Sequence, residues 1–137
     1  MRAPIILAAS NSARWPKSNE QAISAAIQLY FDSMYESDAD KVHAVFHPNA
    51  KFAGYMGDSL VEQSVAEFAQ FVAAQQPSAQ EKGEPILLET LSLDTTGNTA
   101  VAKVRDGYLG LTFVDTLSFF LVDTQWLIYN KLFHVEA

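Results

Sequence analysis

Residues 99–134 constrain this chain more than any other stretch. They form three long runs of β-branched and aromatic residues, broken only around Gly107/Gly110 and at Asp123-Thr124-Gln125. Such residues suit a pleated, half-buried surface. Three consecutive strands with brief breaks read as an antiparallel sheet, and the preceding chain reads as material that wraps it and closes a cavity.

With 137 residues the chain fits one domain, large enough to bury a real core. Sixteen acids against nine bases give a net charge of −7, which argues against nucleic acid and anionic membranes as partners. The absence of cysteine excludes disulfides, thiolate chemistry and Cys-bound metals. His43 and His47 are four apart, but His47 stands at the Pro48-terminated end of a helix, so no metal is expected. No cofactor motif is found: P-loop, dinucleotide fingerprint and Gly-x-Ser-x-Gly elbow are all missing. Residues 1–17 begin with a basic residue and a short apolar run, too short and too close to Pro4 for a secretory signal. They read as a flexible extension of a domain spanning 18–137. The expected location is the cytoplasm, with export as the lesser alternative.

Ser18-Asn-Glu-Gln21 has the form of a capping box opening an amphipathic helix over 19–36, whose buried stripe includes Tyr30. Asp38 opens a short helix to Phe46, and Pro48 stops it. Residues 51–56 and 59–62 read as a hairpin around Gly57-Asp58, and Ser64-Val-Ala-Glu67 opens a third helix carrying Phe68. Residues 76–84 read as a surface loop and 85–94 as the next strand. The fold class is α+β: a curved antiparallel sheet wrapped around helices to form a cone with an internal cavity.

Several motifs carry a family resemblance: Asp38-Ala-Asp40, Phe46-His-Pro-Asn-Ala50, Gly54-Tyr55, residues 100–106, Tyr108-Leu-Gly110, Asp115-Thr-Leu-Ser118 and Trp126-Leu-Ile-Tyr-Asn-Lys131. On these the chain resembles the nuclear transport factor 2-like superfamily, which has a cystatin-like α+β fold and includes ketosteroid isomerases and polyketide cyclases. It is most similar to the branch described as putative lumazine-binding, or SnoaL-like. The resemblance implies a cone, a pocket on the concave sheet face, and homodimers paired through the convex face. Compared with the isomerases, Tyr30 stands where their helix-one tyrosine would, while the position of their general base falls at or next to Gly54. The second acid's position falls near Leu117, one pleat from Asp115. A proton-abstraction mechanism therefore lacks an obvious base.

Residues two apart on a strand share a face. Matching the chain to the isomerases places odd-numbered residues on the concave side: Lys103 and Arg105, then Asp115, then Tyr129 and Lys131. Trp126, Phe120 and Ser118 then belong to the subunit contact. The expected ligand site comprises Tyr30, Tyr55, Phe68, Lys103, Arg105, Asp115, Tyr129 and Lys131. Its charged members either receive a small organic, anionic or carbonyl-bearing ligand or merely satisfy one another as an internal ion cluster. The leading expectation is a small-molecule-binding protein without turnover. One alternative is a cyclase, dehydratase or isomerase using Tyr30 and Asp115 as acid and base. The other is a dimeric association module with a cavity filled by Phe52, Phe68, Phe113 and Phe119.

Overall fold

The computed structural model describes residues 18–136; the extension expected over residues 1–17 lies outside them. Helix α1 spans Asn19–Tyr35 and α2 Ala39–Val45, followed by strands β1 (Phe46–Met56) and β2 (Ser59–Ser64). Helices α3 (Val65–Ala73) and α4 (Ala79–Lys82) come next, then β3 (Leu88–Thr96), β4 (Thr99–Tyr108), β5 (Leu111–Val122) and β6 (Gln125–Val135).

Helix starts are written in the local sequence. Ser18, Ser64 and Ser78 each cap a first turn while Gln21, Glu67 and Glu81 reach back to the cap amide. The third of these boxes makes a short helix inside 76–84, a stretch expected to be loop. Asp38 caps α2 through the amides of Asp40 and Lys41.

The six strands form one sheet in the order β2-β1-β6-β5-β4-β3. All neighbours are antiparallel except β1 and β6, which run parallel, so the sheet is mixed rather than wholly antiparallel. β1 starts directly at Phe46, earlier than the hairpin reading placed it. Its register against β6 shifts between Phe46 and Lys51, where Pro48 can donate no ladder hydrogen bond.

The core lies between the inner sheet face and α1–α3. Ile23, Ile27, Tyr30 and Met34 come from α1, Val42 and Val45 from α2, and Val65, Phe68 and Val72 from α3. They meet Phe46, Phe52, Val104, Leu117, Phe119 and Ile128 from the sheet. Each large apolar side chain buried here contributes about 1.5–3 kcal/mol. Phe46 links the aromatic members, 4.6 Å from Phe52 and 5.8 Å edge-on from Tyr30 by ring centroids. Trp126 belongs to this core, 5% exposed, with its indole N–H 3.4 Å from Asn19 Oδ1; it is not on the outer face where the sequence reading put it.

That misplacement has a general cause in the hairpin turns. Residues directly opposite on paired strands share a face. Across the two-residue turn Leu109-Gly110, both at positive φ, Val104 stands opposite Asp115 and Asp106 opposite Phe113. Even-numbered β4 residues thus share the inner face with odd-numbered β5 residues. On β6 the register slips by one at Tyr129, between the pairs Ser118↔Asn130 and Phe119↔Ile128. Lys131 and Phe133 point inward on one side of that bulge, and Trp126 and Ile128 on the other.

Candidate functional site

Four polar side chains meet on the inner face. Tyr30, on the buried stripe of α1, donates its hydroxyl to Asp115 Oδ2 at 2.7 Å. Asp106 approaches Asp115 diagonally across β4 and β5, close enough for their carboxyls to share a hydrogen bond. Among the described residues, the buried Asp106 Oδ2 and Asp115 Oδ1 have no hydrogen-bond partner.

Burial and the adjacent Asp115 carboxylate push the Asp106 carboxyl up to about 9, with Lys131 opposing the rise. At neutral pH the pair therefore carries one proton and one negative charge, as close carboxyls out of water must. Burial, and then the Asp115 charge, hold the Tyr30 hydroxyl well above its ordinary value, so it remains a donor.

Lys131 projects from β6 next to Leu117 and diagonal to Asp115. It is 6% exposed. Its Nζ lies 4.8 Å from the Phe68 ring centre, 4.9 Å from Tyr30, 5.8 Å from Phe52 and 5.9 Å from Phe133. Four ring faces supply part of the stabilisation that water would give, each contact worth up to about 2 kcal/mol when desolvated. Among the described residues Lys131 has no carboxylate within 4.0 Å and no hydrogen bond.

The ammonium lines a cavity of about 220 Å³ together with Phe68, Phe71, Phe113 and Phe133. Val61, Gln63, Tyr108 and the exposed Met56 and Leu109 complete the wall and its mouth. Apart from Lys131, the polar side chains in that lining are Gln63 and Tyr108. Tyr108 also forms a wall of a more polar cavity of about 430 Å³, bounded by Ser37, Gln75, Gln76, Lys82 and Glu84. Among the described residues its buried hydroxyl has no partner, and burial pushes its ionisation up. Among the described residues no cluster of three or more potential metal ligands exists.

The eight residues expected at the site are thus divided. Phe68 and Lys131 line the cavity, and Tyr30 and Asp115 lie buried behind it. Lys103 and Arg105 lie on the outer sheet face, because the two-residue turn reverses the parity assumed for β4. Lys103 is exposed there. Arg105 makes a two-pronged ion pair with Glu136 (2.8 and 3.0 Å) and another with Glu89 (3.1 Å), which raise its affinity for the proton further. Tyr129 sits at the bulge on the outer face beside His47 and Phe120, and Tyr55 is exposed near the end of β1. An Asp115 ion pair with Arg105 or Lys131 does not form within 4.0 Å. Phe52 and Phe68 stack at 4.4 Å and Phe119 is buried, yet the cavity remains open with Phe113 in its wall.

Asp106 and Tyr108 were missed by the sequence reading, whereas the odd-numbered parity of β6 already set Phe133 on the cavity side with Lys131. The signal for Asp106 was present: a two-residue turn at Leu109-Gly110 places it beside Phe113 and hence next to Asp115. Gly54 pairs with Phe133, and a Cβ there would collide with the Phe133 carbonyl oxygen and ring. No side chain of any kind fits at that position.

Solved structures share this architecture. An NTF-2 like protein of unknown function from Silicibacter pomeroyi superposes with a TM-score of 0.78 at 20% identity, over 85% of this chain and 95% of that one. An NTF2-like protein from Methylobacillus flagellatus gives 0.76 at 22% identity, over 87% and 93%. An uncharacterised protein with a cystatin-like fold from Caulobacter vibrioides gives 0.62 at 13%, over 86% and 89%. No curated protein sequence matches the chain. At these identities the likeness establishes the fold, while the sequence model of one family matches residues 18–134. The chain belongs to that family, described as putative lumazine-binding.

Proposed function

We propose that this protein binds a compact, flat organic molecule in the 220 Å³ cavity and holds an acceptor oxygen of that molecule on Lys131. The observation that carries the reading is the Lys131 ammonium: desolvated, surrounded by rings and unpaired among the described residues. A buried charge is unfavourable unless it is hydrogen-bonded or met by a partner, and the cavity is where a partner fits. The aromatic walls suit a ring system. The family description and the fold support a ligand-binding protein at the coarser level.

Binding rather than turnover is the better reading. Asp115, the acid–base candidate, is fully buried, does not line the cavity and is already engaged by Tyr30. Titrating the protein with lumazine and with simple aromatic carbonyl compounds, followed by NMR, tests the assignment. Saturable shifts that vanish in Lys131→Met support it, and identical shifts in that variant sink it.

Dimerisation through the outer sheet face belongs to the same reading. Val101, Tyr129 and Leu132 are large apolar residues exposed there, and an uncovered apolar sheet face favours a second copy. A cytoplasmic location is part of the proposal as well. On membranes the structure says only that no helix among the described residues is long and apolar enough to cross one.

A further inference from the structure

We infer that the Asp106–Asp115 pair sets the charge of the ligand, so that the cavity takes an uncharged carbonyl compound and rejects the matching carboxylate. This rests on the cavity reading above and adds the class of molecule admitted.

Lys131 contributes one positive charge from β6. Asp106 from β4 and Asp115 from β5 are diagonal neighbours on the inner face, both out of water, and they contribute one negative charge between them, since two adjacent buried carboxyls do not both ionise. Tyr30 from α1 adds a neutral donor and Tyr108 from β4 a neutral hydroxyl. From α3 and β1 the ammonium meets the rings of Phe68 and Phe52, and from β2 the pocket receives the neutral Gln63. Among the described residues the buried charges of the site therefore sum to zero before any ligand arrives.

A carbonyl oxygen accepts a hydrogen bond from the ammonium and leaves that balance unchanged. A carboxylate leaves a net negative charge in a region walled by rings, where uncompensated charge is strongly unfavourable. It enters with a compensating proton, taken up by the carboxyl pair, and its apparent affinity then falls as pH rises, by up to about tenfold per unit. Tyr30 couples the two halves physically. Its hydroxyl holds Asp115 while its ring lies under the Lys131 ammonium.

The experiment uses benzamide and benzoate, which differ little in shape and by one charge, titrated by NMR from pH 6 to 8. In the wild-type protein benzamide should bind with constant affinity. Benzoate should bind at least about tenfold more weakly at pH 8, improve as pH falls, and take up a proton measurable by calorimetry in two buffers. Asp106→Asn keeps the Asp115 charge and should keep the preference. The double variant Asp106→Asn/Asp115→Asn leaves Lys131 alone and should favour benzoate at all these pH values. If the double variant does not fold, the wild-type pH series decides by itself. Benzoate binding as tightly as benzamide without pH dependence overturns the charge filter while leaving the cavity reading intact. Failure of both probes to bind overturns the cavity reading and the filter with it.

Discussion

Tyr30 and Asp115 lie 85 residues apart in sequence and are joined by a hydrogen bond of 2.7 Å, both side chains fully out of water. The bond ties the first helix to the middle of β5, and its acceptor is one of the two buried carboxyls. Tyr30→Phe removes the donor and leaves Asp115 Oδ2 without it. Loss of a hydrogen bond to a charged group costs about 2 kcal/mol, so urea denaturation should show a destabilisation of that size with the fold retained. An unchanged midpoint would mean that the bond is not formed in solution.

Stability should fall as pH rises through the neutral range. In the unfolded chain Asp106 ionises near about 4, whereas in the folded protein its carboxyl keeps the proton up to about 9. Folding therefore takes up a proton between those limits, and the contribution, full below the lower value, is lost as pH rises toward the upper one. The slope reaches about 1.4 kcal/mol per pH unit. Asp106→Asn should flatten it and make the protein at least as stable as wild type at pH 8, measured by denaturation at several pH values.

Arg105→Met should leave ligand binding unchanged. The guanidinium is paired with Glu89 and Glu136 on the outer face, away from the cavity. Weaker binding of an aromatic carbonyl compound in this variant would contradict the face assignment of β4.

Gly54→Ala should destabilise by about 1–3 kcal/mol. The new Cβ meets the Phe133 carbonyl oxygen, a backbone atom of the paired strand that cannot swing aside, as well as the ring of Phe133. A neutral effect in thermal denaturation would show that β1 and β6 separate easily.

Ser118→Arg places a charge in the outer sheet face beside Asn130. Under the dimer proposal it should yield monomers in analytical ultracentrifugation. A dimer persisting at low concentration would assign the contact elsewhere.

The helix starts and the strands were legible because each is written locally, in capping boxes and runs of β-branched residues. Ser18, Asp38 and Ser64 all cap the helices they announce. Tyr30 and Phe68 were legible as inward-facing residues from the periodicity of their helices, and Asp115 and Lys131 from strand parity matched to the isomerases. Lys103, Arg105 and Tyr129 were not, because facing is a property of pairing rather than of one strand. The turn at Leu109-Gly110 fixes parity across β4 and β5, and the bulge at Tyr129 reverses it within β6. Asp106 escaped for the same reason, although its partner Asp115 had been singled out. The small helix Ala79–Lys82 was hidden by the polar composition of its loop, despite the capping pair Ser78 and Glu81.

The NMR resonance of the Lys131 side chain, in protein labelled with ¹³C-lysine, reports on the cavity from its centre. Rings on several sides should shift its ε-methylene protons well upfield, in a signal absent from Lys131→Met. Adding an aromatic carbonyl ligand should move that signal saturably while the exposed lysines stay still. A Lys131 resonance at the ordinary position, or one indifferent to every ligand that binds the protein, would contradict the cavity as the functional site.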